Sequence, residues 1–145
     1  MNACSAKIAY DIMKPNNIVM NTVIASASAG CHIFLMAQFS NSFSNQERIN
    51  DTQLMEYYSV QELCGGVLAG LVSISGASAN VELWAAALIG FFGSCIYKGL
   101  RKVFERMEID DPLENSLIHG ICGMWSIFAV GLFDADSGMI YTGGV

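Results

Sequence analysis

Charge is clumped along this chain, and between the clumps lie four runs that hold almost none. Residues 17–39 (NIVMNTVIASASAGCHIFLMAQF) contain no Asp, Glu, Lys or Arg. As a helix rising ~1.5 Å per residue, this run reaches about 34 Å, enough to cross a hydrocarbon layer of ~30 Å. Residues 63–79 (LCGGVLAGLVSISGASA) are shorter and rich in Gly, Ser and Ala, whereas residues 83–100 (LWAAALIGFFGSCIYKGL) stay strongly apolar until Lys98. Residues 116–133 complete the set. The pattern predicts an all-α membrane protein, a bundle of transmembrane helices with spans at about 17–39, 63–79, 83–100 and 116–133. Loops at about 40–62 and 101–115 join them.

Small residues recur at four-residue spacing within these runs. Gly66 and Gly70 form a GxxxG, Ala86, Gly90 and Ser94 continue the spacing on the next run, and Ala25/Ala29 and Ser26/Gly30 repeat it on the first. Lipid gives membrane helices no hydrophobic drive to associate, so small faces that let backbones approach take over that role. Such faces serve contacts within a bundle, or stand ready for a second protein.

Composition sharpens this picture. Hydrophobic residues make up 53% of the 145 residues and charged residues 14%, against ~25% charged in ordinary soluble domains. The mean hydropathy is +0.43. A net charge of −6 gives nucleic acid no basic surface to bind. The five cysteines are widely spaced and fall mostly inside apolar runs, so small packing residues describe them better than a disulfide framework or a metal site. DADSG (residues 134–138) imitates a calcium loop but has its glycine one position early, and Val145 stands where a bidentate Glu belongs. Lys98, Arg101, Lys102 and Arg106 follow the third run closely and mark that side as cytoplasmic. Alternation places Arg48 on the same side, leaving Lys7 and Lys14 outside, so five of the seven basic residues are cytoplasmic. The sequon at Asn50 would then escape glycosylation.

The candidate chemistry lies in residues 109–133, IDDPLENSLIHGICGMWSIFAVGLF. Asp110 or Asp111 can cap the helix start, Pro112 suits its first turn, and Glu114 complements the positive end of the helix dipole. On an α-helix, His119, Cys122, Gly123 and Ser126 share a face, opposite the bulkier Leu117, Ile121, Met124 and Phe128. A small, mildly polar stripe carrying one imidazole suits the wall of a cavity or pathway. The alternative is a helix–helix hydrogen bond from the ring to a neighbouring hydroxyl or carbonyl. Neither further metal ligands nor an orienting acid lies on that face, so neither a metal site nor a Cys–His nucleophile is supported. His32, between Cys31 and Ile33, reads as a packing or interfacial residue. No nucleophile–base pair or phosphate loop suggests an enzyme, and no cofactor is implied.

These residues resemble the ammonium transporter/Rhesus family. DDP, a short spacer and HG-x-CG look like the opening of the family's tenth span. LCGGVLAGLVSISGASANV and WAAALIGFFGS resemble its eighth and ninth spans, NTVIASASAG its seventh, and the opening NACSA the end of its sixth-span motif. The segments come in the family's order and cover nearly the whole chain. The resemblance implies a fold of five plus five inverted spans and one further helix, of which this chain matches an incomplete second repeat. By the same resemblance His119 matches the second of two pore histidines, and Ser5 a serine that helps hold ammonium at the outer mouth. Asp111 matches a structural aspartate near the inner end, and Met1 stands where the family has a gating phenylalanine. The implied function is transmembrane transport of ammonium or ammonia, in a homo- or hetero-trimer of family subunits embedded in the lipid bilayer of the plasma membrane. The first pore histidine and its aromatic gate belong to the first repeat, so the expectation is a partial transporter sequence that does not conduct alone. The competing expectation is a non-conducting membrane protein that associates with full-length subunits and regulates them, using Gly66/Gly70 and Ala86/Gly90/Ser94 as its adhesive faces.

Overall fold

The computed structural model describes residues 15–43, 60–109, 111, 114–135 and 138–142. Its helices are α1 (Pro15–Phe43), α2 (Val60–Ser73), α3 (Leu83–Arg106), α4 (Cys122–Phe133) and the short α5 (Met139–Thr142). A π-helical turn, Ser116–Ile121, leads directly into α4. The fold is all-α, with no strand among the described residues. Among the described residues three stretches are long and apolar enough to cross a bilayer: Asn16–Phe39, Leu83–Arg106 and Ser116–Phe133.

α2 is shorter than the expected 63–79 run. It closes at Ser73, and residues 74–80 continue as tight turns with Ser75 N–H bonded to Val72 O at 3.1 Å and Ala77 N–H to Ile74 O at 3.1 Å. The Ser73 and Ser75 hydroxyls bond back to the Ala69 and Val72 carbonyls, each at 2.7 Å, and so compete locally with helix propagation. α3 in turn runs past residue 100. Its basic residues extend the helix beyond the apolar segment, and it ends with Glu108 N–H on Glu105 O and Ile109 N–H on Phe104 O. That bond pair is a Schellman motif, built here on Glu108 at φ 53° in place of glycine.

α1 packs against both α2 and α3 through the small residues. Ala25 and Ala29 are fully buried. A Cβ on Gly66 would collide with the Ile33 side chain, and one on Gly90 with the Ala25 carbonyl. Gly66, Gly70, Ala86, Gly90 and Ser94 are therefore all buried inside the bundle. This corrects the expectation that they form an adhesive surface: close approach within the chain uses those faces up, and nothing remains of them for a partner.

Polar groups stitch the same contacts. Buried Asn21 donates from Nδ2 to Ser78 O at 3.0 Å and Val81 O at 2.8 Å, tying α1 to the turn before α3. Ser28 donates to Ala87 O at 2.9 Å. Trp125 Nε1 donates to Ile89 O at 3.2 Å, joining α4 to α3. The outward surface is apolar, with Val23, Phe34, Leu35 and Phe39 of α1 and Ile127 and Phe128 of α4 exposed, as a lipid-facing or pathway-facing surface requires.

Candidate functional site

The segment before α4 builds the candidate site from its first turn upward. Asp111 caps it: one carboxylate oxygen accepts the Asn115 N–H at 3.1 Å and the other the Ser116 N–H at 2.8 Å. The Ser116 amide bond, followed by the weaker Asn115 one, holds the Asp111 carboxyl below its usual range. Glu114 N–H bonds to Asp111 O at 3.0 Å, and Glu114 O accepts Ile118 N–H at 2.9 Å, so Glu114 opens the helical ladder.

Glu114, at the positive end of the helix dipole, also makes tertiary contacts. Its carboxylate accepts the Tyr97 hydroxyl on one oxygen and pairs with Arg101 Nε at 3.1 Å on the other. Lys98 Nζ pairs with Glu62 Oε1 at 3.1 Å alongside. These contacts join the start of α2, the last turns of α3 and the approach to α4.

His119 lies in the π turn, and this changes its face. Cys122 N–H bonds to Leu117 O, five residues back, and each such turn carries one extra residue relative to an α-helix. An extra residue turns the segment by about 100°. Leu117, Ile118, Cys122 and Ser126 consequently share the buried side, whereas His119 and Gly120 are exposed. The expected stripe is corrected accordingly: Cys122 and Ser126 belong to the packing, and His119 stands apart from them. Helix–helix bonding is also theirs, with Ser126 Oγ accepting the Gly76 N–H at 2.9 Å and Cys122 Sγ donating to Gly93 O at 3.8 Å. Among the described residues none hydrogen-bonds the His119 ring. A Cβ added at Gly120, Gly123 or Gly131 would meet nothing within 4 Å, so open space runs along this side past Met124 and Ile127, which are exposed. The face is an apolar wall with one imidazole, able to present one donor and one acceptor.

His32 is a packing residue. Ser94 Oγ donates to Phe91 O at 2.7 Å, so it accepts from His32 Nδ1 at 2.9 Å. This leaves Nε2 to accept from the Cys95 thiol at 3.5 Å. The Phe91 ring stands edge-on at 4.7 Å. Ser5, Met1 and Asn50 lie outside the described residues. Among the described residues no group of three His, Cys, Asp or Glu could hold a metal ion.

Comparison with known proteins shows a family. The family model described as "Ammonium Transporter Family" matches residues 1–144. Ammonium transporter 1 member 4 of Arabidopsis thaliana is 34% identical over 115 residues, covering 79% of this chain and 21% of that protein. Ammonium transporter 1 member 1 of Solanum lycopersicum is also 34% identical over 115 residues, with 79% and 22% covered. The crystal structure of Saccharomyces cerevisiae Mep2 matches with a TM-score of 0.66 at 26% identity, covering 86% of this chain and 25% of that one. The Mep2 mutant delta442 from Candida albicans shares the fold, with a TM-score of 0.70 at 23% identity and 90% and 32% covered. The chain spans about a fifth of the length of the curated relatives it matches.

Proposed function

The chain belongs to the ammonium transporter family, and from that premise we propose that it forms one wall of a pathway carrying ammonium or ammonia across a membrane, with His119 facing the pathway. The observation that carries this reading is the exposed imidazole on an otherwise apolar, glycine-bordered helix face. In a stretch without Asp, Glu, Lys or Arg between 116 and 133, a histidine that none of the described residues hydrogen-bonds needs a polar partner on its open side.

The physics of the cargo explains the choice of residue. Moving a bare ammonium-sized ion into a dry apolar lumen carries a Born cost of about 20 kcal/mol. A membrane potential contributes only about 2.3 kcal/mol per charge per 100 mV. Passage requires that the ion be solvated again by polar groups or give up its proton. A neutral imidazole supplies one acceptor for an ammonium proton and one donor for the lone pair of ammonia. Alkali cations have no proton to yield and find too few oxygen ligands, so an apolar wall rejects them.

Ser5 is assigned to ammonium recruitment at the outer mouth and Asp111 to holding the inner end of the His119 segment. The basic residues Lys98, Arg101, Lys102 and Arg106 support assigning that end to the cytoplasm, and the same reading assigns the chain to a trimer of family subunits at the plasma membrane. The regulatory alternative has lost its adhesive faces to the bundle's own packing, and no other observation favours it.

The test is His119→Ala in the complete coding sequence, expressed in cells that lack their own ammonium uptake. Methylammonium uptake should vanish, or continue with potassium no longer excluded. Unchanged uptake and unchanged selectivity at normal membrane abundance would remove His119 from the pathway.

A further inference from the structure

A π turn is a rarer register than the α-helix that follows it, and such turns occur frequently at functional sites. Here the turn decides which way His119 points, so whatever holds the turn sets the ring. Two features of its approach stand out. Glu114, five positions before His119, has φ 52°, a left-handed conformation that side chains other than glycine resist. Its side chain is also only 13% exposed, although a carboxylate in the first turn would ordinarily reach into water.

Both features trace to one grip. Tyr97 on α3 is fully buried, and its hydroxyl donates to the Glu114 carboxylate, while Arg101, one turn further along the same helix, pairs with the other oxygen. α2 leaves room for this contact, because a Cβ on Gly65 would collide with the Tyr97 hydroxyl. The carbonyl of Glu114 is meanwhile the first acceptor of the helical ladder, for Ile118 N–H. The side-chain grip is thereby passed to the backbone that begins the π turn.

We propose that Glu114, clamped by Tyr97 and Arg101, is the positioning residue for His119, holding the π register that turns the imidazole off the packed face and toward the open one. The functional side of this assignment rests on the pathway reading above. Without the clamp, Glu114 leaves its left-handed conformation and the segment regains α-helical register. His119 then swings by about 100° toward the side occupied by Cys122 and Ser126. Asp111 cannot substitute for the clamp, since it bonds only the Asn115 and Ser116 amides and would cap an α-helix equally well.

The experiment reads the direction of residue 119 independently of transport. In the complete protein, with its native cysteines replaced by serine, a cysteine is introduced by His119→Cys. Its rate of modification by a small methanethiosulfonate is measured in membranes. Tyr97→Phe removes the donor, and Gly65→Ala displaces Tyr97 without altering any clamp residue. Each should slow labelling roughly tenfold (about 1.4 kcal/mol), with membrane abundance unchanged. Gly99→Ala, on the same helix but with nothing within 4 Å of the added methyl, should leave the rate as it is. Equal labelling rates in the parent and both clamp variants would overturn the proposal. A second readout, in the chain that retains His119, separates the two readings. If Tyr97→Phe slows labelling at 119 and also relaxes methylammonium selectivity, positioning and pathway roles both stand. If it slows labelling while transport by the His119 protein is untouched, the clamp stands and the pathway role of His119 falls.

Discussion

Replacing Gly70 by alanine adds a single methyl group where α1 and α2 approach closely. A Cβ there would lie 2.6 Å from Ala29 Cβ, 2.9 Å from Ala25 O and 3.4 Å from Ser26 Cα. Ordinary carbon contacts sit at about 3.5–4.0 Å, so the helices must part by about 1 Å. A methyl group has no torsion by which to escape, and two of the three obstacles are α1 backbone. The relevant overpacking cost is therefore the upper part of the usual range, about 3 kcal/mol. Alanine gains about 1 kcal/mol over glycine in helix propensity, which leaves a net loss of about 2 kcal/mol. Gly99 on α3 provides the control: a Cβ there meets nothing within 4 Å, and Gly99→Ala should gain about 0.5–1 kcal/mol. Equilibrium unfolding of the intact protein by sodium dodecyl sulfate in mixed micelles measures both. If the two substitutions move stability alike, the small residues do not set the helix spacing and the packing argument fails.

Three further outcomes follow from local geometry. Glu108→Gly relieves a left-handed residue at the Schellman end of α3 and should raise stability by about 1 kcal/mol in the same unfolding assay. Asp111 has its carboxyl lowered from 3.8 by amide bonds, so its contribution is complete above 3.8 and is lost as pH falls through the lower folded value. Asp111→Asn should consequently be the less stable protein near neutrality, with the gap to the parent closing only below pH 3.8; a gap that closes at higher pH would contradict this. His32→Ala should cost about 1 kcal/mol, through the lost bonds to Ser94 and Cys95, yet leave methylammonium selectivity intact. A selectivity change there would show that the wrong histidine has been assigned to the pathway.

The long helices were legible because charge-free runs of this length have few other uses. α1 and α3 contain the 17–39 and 83–100 runs, and residues 116–133 form a further helical stretch, followed only by the short α5 among the described residues. Hydropathy marks the greasy part of a helix and not its end, which is why α3 extends to Arg106 on charged residues. Its Schellman end carries no glycine to announce it. The early stop of α2 was hidden in serines that also suit a small-residue packing face. That His119 does not share the face of Cys122 and Ser126 is illegible for a physical reason: a π turn has no composition signal, and an α-helical phase puts the ring beside them. The clamp was equally illegible, because Tyr97 and Glu114 are brought together only by the tertiary fold. The small-residue spacing is legible as a device for close approach. Only the packing shows that the surface approached is α1 of the same chain.

The most direct test of the whole account is an experimental structure of the complete protein in a lipid environment, resolved well enough to place the His119 ring and ordered water. The account predicts that the imidazole faces an enclosed, mostly apolar conduit, with a second polar group or water within hydrogen-bond reach of the ring. An imidazole packed against acyl chains, or folded back against Cys122 and Ser126, would contradict it.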